Sequence, residues 1–326
     1  MRLKIGVLMG GPSAEREVSL VTGKAVFDNL DRKKYLPSLV EMSKDGYFWL
    51  VQENGKRRKL DLQNKDRKIF DIIFIALHGS PGEDGGVQGM LESLKIKYTG
   101  PGVLASALAM NKVFSAQIYF ANGLPYPEFI HFTKDGWKRE AGKITEEIEN
   151  KISFPLVIKP VDQGSAVGVS IIKNKVELKK SIDKTVKLFP WLMAQKFIKG
   201  REATCSVLEK NGEITALPPT HILPKLGKFY NYKSKYQLGG STHICPADFS
   251  SKINSQIQTL AILAHKALGC RGMSRTDIFV NDNAKLYIIE TNTIPGMTPT
   301  SLFPEAAARA GVSFSLMLDY IISASI

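Results

Sequence analysis

Residues 274–298 read SRTDIFVNDNAKLYIIETNTIPGMT. Two β-rich runs flank the turn residues NDNA at 281–284, so the pattern predicts a β-hairpin. Its strands would bring Asp277 side by side with Glu290 and Asn292. Two carboxylates and an amide carbonyl, without His or Cys, form a donor set for a hard cation such as Mg²⁺, which usually carries substrate phosphates on its open positions. A nucleotide is therefore the first hypothesis.

Arg275 stands beside these three side chains, where it would add a fixed positive charge. The same residues also fit an exposed hairpin with solvated acidic side chains, and the hairpin taken alone favours neither interpretation. The rest of the chain has to decide between them.

The length of 326 residues predicts two to three domains, and a hydrophobic content of 44% is that of a core-forming globular protein. No apolar stretch approaches the roughly 18 residues of a membrane span, and no signal-peptide pattern opens the chain. We therefore expect a soluble cytoplasmic protein. Cys205, Cys245 and Cys270 lack metal-site or disulfide spacing, so we expect buried thiols.

The net charge of +13 raises the question of nucleic acid. Its densest cluster is KRRK at 56–59, which has no interleaved aromatic residues and lies near Asp61 and Asp66. That context favours a solvated loop over a nucleic-acid surface. A basic balance also suits an enzyme of anionic substrates.

The first hundred residues alternate buried-strand and helix patterns. Each predicted strand ends in a polar, glycine-rich loop, GGPS in the first case and HGSPGEDGG in the second. This alternation predicts a parallel sheet with a site at the carboxyl ends of its strands. The predicted elements are strand 3–9, helix 14–30, strand 70–77 and helix 87–94.

Beyond residue 102 the pattern changes to helices mixed with antiparallel strands. A small-residue loop at 162–168, DQGSAVG, joins two of these strands; its backbone and Lys159 could meet a phosphate, although such a loop is often purely structural. It has neither the Walker nor the Rossmann pattern. The predicted elements are helix 104–121, strands 155–160 and 168–173, helix 175–188, strand 193–198, further strands to 216, an irregular stretch at 225–246, helix 250–268 and a helix from 313.

Six motifs in this order resemble one family, the D-alanine–D-alanine ligases of the ATP-grasp superfamily. They are GGPSAEREVS at 10–19, HGxxGEDG at 78–85, YTGPG at 98–102, KPxxxGSxxG at 159–168, Lys235-Tyr236 and ExNxxPGMT at 290–298. The resemblance covers nearly the whole chain.

The resemblance implies an α/β and α+β fold of three domains: an N-terminal parallel-sheet domain (1–102) and two domains that clasp ATP (103–194 and 195–326). It implies ligation of two D-alanines through a D-alanyl phosphate, for peptidoglycan synthesis in the cell wall. It also implies a homodimer through the N-terminal domain, with neither nucleic acid nor membrane as partner.

The resemblance carries roles to individual positions. The catalytic residues would be Glu15, Ser165, Tyr236, Arg275 and Gly296, with Arg275 and the Gly296 N–H stabilising an oxyanion. The nucleotide would contact Lys112, Lys159, Gln195, Lys196, Phe197, Ile198, Glu202 and Lys235. The amino-acid substrates would contact His78, Ser301 and Leu302. Two Mg²⁺ or Mn²⁺ ions would bind Asp277, Glu290 and Asn292.

Several of these positions also have structural explanations. A carboxylate such as Glu15 is favoured in the first turn of a helix, and Ser13 suits the helix N-cap. A lone His after a strand, such as His78, is often only hydrogen-bonded. The stretch 225–246 is predicted to be a lid, because an acyl phosphate needs protection from water.

Two positions depart from the family's usual residues. The family commonly has Glu where this chain has Gln195, and Asp where it has Asn111. The Gln195 carbonyl oxygen could still accept a hydrogen bond from the adenine amino group. The resemblance also bears on the second substrate: relatives that join D-alanine to D-lactate lack the arrangement Lys235-Tyr236, so Tyr236 implies an amine. A ligase using D-lactate or D-serine, and a non-catalytic nucleotide-binding protein, are the alternatives; Arg275 and the metal ligands argue against the latter.

Overall fold

Three β-sheets follow one another along the chain in the computed structural model, which describes residues 2–52, 54–225 and 240–326. The strands of the first sheet are β1 (Leu3–Gly10), β2 (Tyr35–Met42), β3 (Phe48–Val51), β4 (Arg57–Lys59), β5 (Ile72–Ile75) and β6 (Lys97–Tyr98). Their order is β4-β3-β2-β1-β5-β6. The pairs among β2, β1, β5 and β6 are parallel, which confirms the predicted parallel sheet, and β3 and β4 add an antiparallel edge.

Strand β1 lies between β2 and β5, so its apolar residues are buried on both faces. At its carboxyl end the chain turns sharply through Gly10, whose φ is +89°. A Cβ atom there would lie 2.7 Å from the Met42 carbonyl oxygen. This close turn places the following residues beside the loop that leaves β5.

The second sheet is antiparallel. Its strands are β7 (Phe129–Thr133), β8 (Leu156–Pro160), β9 (Ser170–Ile172) and β10 (Trp191–Lys196). Their order is β7-β10-β8-β9. The loop at 161–169 joins β8 to β9, as the small-residue pattern predicts.

The strands of the third sheet are β11 (Gly200–Lys210), β12 (Glu213–Ala216), β13 (Thr220–Pro224), β14 (Ser241–Ile244), β15 (Met273–Asn281) and β16 (Leu286–Asn292). Their order is β14-β13-β11-β15-β16, and β12 pairs with β11. Strands β15 and β16 form the predicted hairpin, with Asp277 and Glu290 as Cα partners in its register.

Helices cover these sheets, and none in the described part of the chain is long and apolar enough to cross a membrane. Ser250 and Ser313 cap two of them by accepting hydrogen bonds from backbone N–H groups three residues on. The helices are α1 (Arg16–Asn29), α2 (Gly86–Ser93), α3 (Val103–Met110), α4 (Lys112–Ala121), α5 (Lys134–Lys151), α6 (Lys175–Thr185), α7 (Ser251–Ala267), α8 (Leu302–Arg309) and α9 (Phe314–Ser323).

The buried side chains form separate cores. The largest, here the shared core, joins the first sheet to the third sheet and to α8 and α9; it includes Phe74, Met273 and Phe303. The central core belongs to the second sheet with α5 and α6 and includes Ile158 and Leu192. The two sheets at the ends of the chain therefore share one interior. The middle sheet has an interior of its own on one face, and its other face packs against helix α4 through Met193 and Val113.

The predicted helix 104–121 is wrong, because the chain forms two helices there. Asn111 ends α3, and its Oδ1 accepts hydrogen bonds from the N–H groups of Val113 and Phe114, both at 3.1 Å. The side chain is the N-cap of α4. Lys112 thereby becomes the first residue of a helix and is held close to the loop after β8.

Two smaller expectations also change. The basic cluster at 56–59 is not a solvated loop; it contains edge strand β4, and Arg58 is paired with Asp66 at 2.9 Å. Cys205 and Cys245 are buried free thiols as expected, but Cys270 is partly exposed.

Helix α5 is not among the elements predicted from the sequence. Its composition is strongly charged, yet Trp137, Ala141, Ile144 and Ile148 recur at helical spacing and pack into the central core. That apolar stripe is the signal that could have identified it.

The domain boundaries at 102/103 and 194/195 stay predictions, although strand β10 continues to Lys196. Most of the predicted lid at 225–246 lies outside the described residues.

Candidate active site

Two cavities meet between the three sheets, one of about 700 Å³ and one of about 140 Å³. Lys112, Gln163 and Glu290 line both, so the cavities join at these residues. Among the predicted site residues, the larger cavity is lined by Glu15, His78, Lys112, Ser165, Arg275, Glu290, Asn292, Gly296, Ser301 and Leu302. The smaller is lined by Lys112, Lys159, Gln195, Lys196, Phe197, Ile198, Glu202, Asp277 and Glu290. Lys235 and Tyr236 lie outside the described residues.

The hairpin of β15 and β16 builds an acidic corner at the junction. Asp277 faces Glu290 across the ladder, and the register shifts just after Asp277. The Asn292 amide lies 3.3 Å from Asp277 Oδ2. Arg275 donates to both oxygens of Asp277, from Nε at 3.1 Å and from Nη2 at 3.2 Å. The bidentate contact fixes the orientation of the carboxylate, and Asp277 lines the smaller cavity.

The oxygen donors of this corner fit a divalent hard cation. Asp277 is 4% exposed, and its carboxylate is held by fixed hydrogen bonds. Glu290 and Asn292 add a carboxylate and an amide oxygen within the same register. In the described part of the chain no three His, Cys, Asp or Glu side chains form a closed metal cage. The geometry suits Mg²⁺, which needs one or two carboxylates and takes its other oxygens from water and phosphate.

Thr204 is a site residue that the sequence did not reveal. Its Oγ1 donates to Asp277 Oδ1 at 2.6 Å from the neighbouring strand β11, where the two residues are Cα partners. A single Thr in a strand carries no motif, so only the pairing of β11 with β15 identifies it.

Two lysines face the acidic corner. Lys112 Nζ donates to the Gln163 carbonyl oxygen at 2.7 Å and lies 3.4 Å from Glu290 Oε2. Lys159 Nζ donates to Gln195 Oε1 at 2.7 Å. Burial lowers the pKa of Lys159 to about 7; the charge of Lys112 acts in the same direction, and Glu290 opposes both. An anion such as a polyphosphate would relieve this crowding of positive charge.

A contact between two sheets closes one side of the larger cavity. Ser165 Oγ, in the loop after β8, donates to Glu15 Oε1 at 2.5 Å. Ser13 is not the N-cap that its position suggested, because α1 begins later, at Arg16. Its hydroxyl instead accepts from the Glu15 N–H at 2.9 Å and donates to the His78 carbonyl oxygen at 2.7 Å. The Ser13 hydroxyl thus joins the loop after β1, which carries Glu15, to the loop after β5, which carries His78.

Arg16 supports the same loop, and the sequence motifs do not identify it as a site residue. Its Nη1 donates to the carbonyl oxygens of Gly11 at 2.9 Å and Met42 at 2.8 Å. Its Nη2 pairs with Glu41 at 2.6 Å. These contacts fix the turn that carries Glu15, and proximity to Glu15 in the sequence was the available signal.

His78 is buried and neutral near pH 7. Burial lowers its pKa to about 4; Arg275 acts in the same direction, and Glu15 opposes the shift. Its Nε2 is 2.9 Å from the Thr22 hydroxyl. The ring therefore offers the cavity a neutral polar surface rather than a charge.

The opposite end of the larger cavity is formed by the start of α8. Ser301 Oγ accepts from the Thr298 N–H at 2.9 Å. A Cβ atom at Gly296 would lie 2.9 Å from Ser301 Oγ, so a side chain there would crowd this hydroxyl. Leu302 opens the helix, where backbone N–H groups lack helical partners and attract an anion.

The smaller cavity has a mostly apolar lining. Val157, Val169, Phe197, Phe279 and Ile289 line it together with the polar side chains at its ends. Such a slot suits a planar heterocycle with a few polar contacts.

Fold and cavities together define an ATP-grasp ligase: a mostly apolar slot lined by two antiparallel sheets opens onto an acidic corner and a second, larger cavity. Family models described as D-ala D-ala ligase N-terminus and D-ala D-ala ligase C-terminus match residues 4–101 and 118–323. The chain belongs to the D-alanine–D-alanine ligase family.

Individual relatives agree with this assignment. A curated protein of Syntrophobacter fumaroxidans named D-alanine–D-alanine ligase is 42% identical over 322 residues, covering 98% of this chain and 97% of the relative. The crystal structure of VanG D-Ala:D-Ser ligase from Enterococcus faecalis is similar with a TM-score of 0.87 at 29% identity, over 100% of both chains. D-alanine–D-alanine ligase from Bacillus anthracis complexed with ATP gives a TM-score of 0.77 at 31% identity, over 99% of this chain and 97% of that one.

Proposed function

We propose that this chain joins two molecules of D-alanine to D-alanyl-D-alanine, with ATP converted to ADP and phosphate, as a step in peptidoglycan synthesis. The observation that carries this proposal is the junction of the two cavities at Lys112 and Glu290. A nucleotide in the smaller cavity would direct its terminal phosphate to that junction. An amino acid in the larger cavity would present its carboxylate from the other side.

In the first step, a carboxylate oxygen of the first D-alanine attacks the γ-phosphorus, and the bond to the β–γ bridging oxygen breaks. Lys112 and Lys159 neutralise the phosphate charge and align the triphosphate. Bound Mg²⁺ or Mn²⁺ at Asp277, Glu290 and Asn292 would neutralise further charge on the phosphate oxygens. Lys235, outside the described residues, is proposed as a third cation.

In the second step, the free amine of the second D-alanine attacks the acyl carbon of D-alanyl phosphate. A tetrahedral oxyanion forms and then collapses: the bond from carbon to the phosphate oxygen breaks, phosphate is released, and the departing phosphate takes up the proton that the nitrogen loses. Arg275 and the backbone N–H of Gly296 line the same cavity and serve as fixed donors to that oxyanion. The amide bond is the product.

The amino-acid contacts follow from charge. Glu15 takes the ammonium group of the first D-alanine, and its hydrogen bond from Ser165 keeps the carboxylate directed into the cavity. Ser301 Oγ and the Leu302 N–H take the carboxylate of the second D-alanine. Neutral His78 lies beside the first substrate without competing for its charge.

Ligation to D-serine is the second candidate function, favoured by the likeness to a D-Ala:D-Ser ligase. D-Lactate is a further alternative for the second substrate. We favour D-alanine because Tyr236 accompanies Lys235 in the sequence, and because relatives at about 40% identity carry the D-alanine–D-alanine ligase name. A non-catalytic nucleotide-binding protein would have no need for the oxyanion donors.

The remaining assignments are part of the same proposal. Three domains, 1–102, 103–194 and 195–326, would meet at the two cavities, with residues 225–246 as the lid. The protein would act in the cytoplasm as a homodimer through the N-terminal domain.

The proposal is tested by phosphate release from ATP and Mg²⁺ with D-alanine, D-serine, D-lactate or L-alanine, and by the mass of the product. We expect D-alanyl-D-alanine, and a loss of activity of at least about 100-fold in Glu15→Gln and Asp277→Asn. Glu17→Gln and Asp282→Asn are matched controls, because these acidic side chains are exposed nearby. A product containing D-serine or D-lactate would replace the D-alanine assignment; ATP binding without phosphate release would refute ligation.

A further inference from the structure

Gln195 carries a buried amide at one end of the smaller cavity. It is 4% exposed, and its register in β10 places it on the same face of the sheet as Lys159. Its Oε1 accepts from Lys159 Nζ at 2.7 Å. Its Nε2 is buried and has no hydrogen-bond partner within the part of the chain that the structure describes.

The Tyr126 hydroxyl lies close to the Gln195 amide and interacts with it electrostatically. The contact lacks the geometry of a full hydrogen bond, and among the described residues neither the hydroxyl nor Nε2 has another partner. The nearby walls of the cavity, such as Val157 and Phe197, are apolar. An unpartnered buried amide is costly, so a ligand that pairs with it gains affinity.

The direction of the amide follows from hydrogen-bond chemistry. An ammonium group only donates, so Lys159 holds the oxygen of Gln195 toward itself and leaves the NH₂ group for the ligand. When Lys159 turns to the phosphates of a bound nucleotide, the amide is free to rotate and present its oxygen instead. One side chain can then accept from an amino group or donate to a carbonyl group.

A carboxylate at the same place would behave differently. It can only accept, so it would favour a purine with an amino group at position 6 and repel one with a carbonyl there. The amide lacks this selectivity, and discrimination at position 6 is left to the backbone. The Lys196 N–H is already used by the Glu128 carbonyl oxygen at 2.9 Å.

We propose that Gln195 makes the nucleotide pocket permissive at purine position 6, so that 6-oxopurine nucleoside triphosphates serve as phosphoryl donors alongside ATP. The proposal rests on the ligase function above and identifies its nucleotide substrate class. With inosine triphosphate the same bonds change: the γ-phosphoryl group moves to the carboxylate oxygen of D-alanine, and inosine diphosphate leaves. We expect ATP to remain the better phosphoryl donor, because Lys196 and Ile198 line the cavity and a backbone carbonyl oxygen there can accept from an amino group but not from a carbonyl group.

The test compares kcat/KM for ATP and inosine triphosphate at saturating D-alanine in three proteins. Inosine triphosphate lacks the extra 2-amino group of guanosine triphosphate and so isolates the 6-position change, with its linked N1 proton. We expect the unmodified chain to prefer ATP by less than about 100-fold, the scale of one or two unmatched hydrogen bonds. In Gln195→Glu the preference should rise by at least about tenfold, because the carboxylate rejects the carbonyl.

Gln195→Met is the matched control, because it keeps the length of the side chain and removes both polar atoms. It should lower kcat/KM for the two nucleotides by similar factors and leave their ratio within about threefold of the unmodified chain. A preference for ATP above about 100-fold in the unmodified chain, or one that Gln195→Glu does not raise, would overturn the proposal.

A binding measurement separates this proposal from the function on which it rests. Thermal stabilisation by Mg²⁺ with ADP or inosine diphosphate reports pocket selectivity without turnover. If neither triphosphate yields phosphate with any amino acid, the ligase function fails, and the two diphosphates still test Gln195. Comparable stabilisation by both supports the proposal; stabilisation by ADP alone in all three proteins refutes it.

Discussion

The first and third sheets share one hydrophobic core, whereas the second sheet packs one of its faces around a core of its own. The shared core contains Phe74 from the first sheet and Met273 and Phe303 from the C-terminal part. Arg271 ties the same two parts through hydrogen bonds to the carbonyl oxygens of Tyr98 and Gly100. By contrast, the second sheet meets the first at the hydrogen bond between Ser165 and Glu15.

This difference divides the site by chemistry. The acidic corner, the proposed oxyanion donors and the proposed D-alanine contacts all lie on the body that shares one core. Lys159, Gln195 and Ser165 lie on the second sheet and its loop. The part of the site proposed for the amino acids therefore lies on the sheets that share one core. The part proposed for the nucleotide lies partly on the second sheet, which belongs to the central core. Variants in each core can test whether the two units open independently.

Phe303→Ala should have the largest effect on stability. The ring is fully buried in the shared core, and its loss costs about 3–5 kcal/mol of unfolding free energy. Amide hydrogen exchange should accelerate in β1 and β15 together, with little change in β8 and β10. Phe132→Ala, a matched ring in the central core, should give the converse pattern. Faster exchange in the third sheet alone after Phe303→Ala would disprove the shared body.

Arg271→Ala tests the contact between the first sheet and the C-terminal part of the chain. It removes a guanidinium that donates to two backbone carbonyl oxygens and lies over the Tyr98 ring, with the centroid 5.4 Å away. We expect a loss of about 2 kcal/mol in urea unfolding, because hydrogen bonds from charged donors contribute more than neutral ones. The exposed Arg139→Ala is the control and should change stability by less than about 0.5 kcal/mol. Equal effects of the two variants would mean that Arg271 does not join the sheets.

Much of this architecture could be predicted from the chain alone. The buried runs around β1 and β5 predicted parallel strands, and the turn residues at 281–284 predicted the hairpin that pairs Asp277 with Glu290. These succeed because local patterning and turn chemistry determine them. The positions proposed for ligands through family resemblance all line the two cavities, except those outside the described residues. Their roles stay predictions until measured.

The remainder depends on contacts between distant segments. Thr204 belongs to the site because its hydroxyl donates to Asp277 on the neighbouring strand. Ser13 is not the expected helix cap, because its hydroxyl donates to the His78 carbonyl oxygen. The core shared by the first and third sheets joins residues as distant in the sequence as Phe74 and Phe303, which are 229 positions apart. Sequence periodicity shows that a face is buried but not which partner covers it.

Nucleotide binding should depend on pH through Lys159. Its pKa of about 7 in the free protein lies below the ordinary lysine value of about 10.4, and bound phosphates would restore the proton. Below pH 7 the ammonium is already present, so affinity should be level there. Between about pH 7 and 10 binding takes up a proton, and ATP affinity should fall by up to about tenfold per unit.

Calorimetry in buffers of different ionisation enthalpy measures that proton directly. Lys159→Arg, which remains charged throughout, should flatten the profile even if affinity changes overall. The same shift predicts that stability without ligand rises with pH between about 7 and 10.4, since the unfolded chain binds the extra proton. A flat ATP profile in the unmodified chain would mean that Lys159 is fully charged before the nucleotide arrives.

Ser165→Ala should have the smallest effect on stability and the most specific effect on function. The lost hydrogen bond to Glu15 is partly exposed and costs about 0.5–1 kcal/mol of unfolding free energy. The KM for the first D-alanine should rise by about five- to tenfold, because Glu15 loses the contact that orients it, while the KM for ATP stays within about twofold. Ser93→Ala removes a comparable hydroxyl contact on α2, away from the cavities, and should leave both constants unchanged. Unchanged D-alanine kinetics in Ser165→Ala would show that the contact between the second sheet and the loop after β1 does not contribute to substrate binding.

A selective rise in KM at nearly unchanged stability would show that this contact serves substrate binding rather than folding.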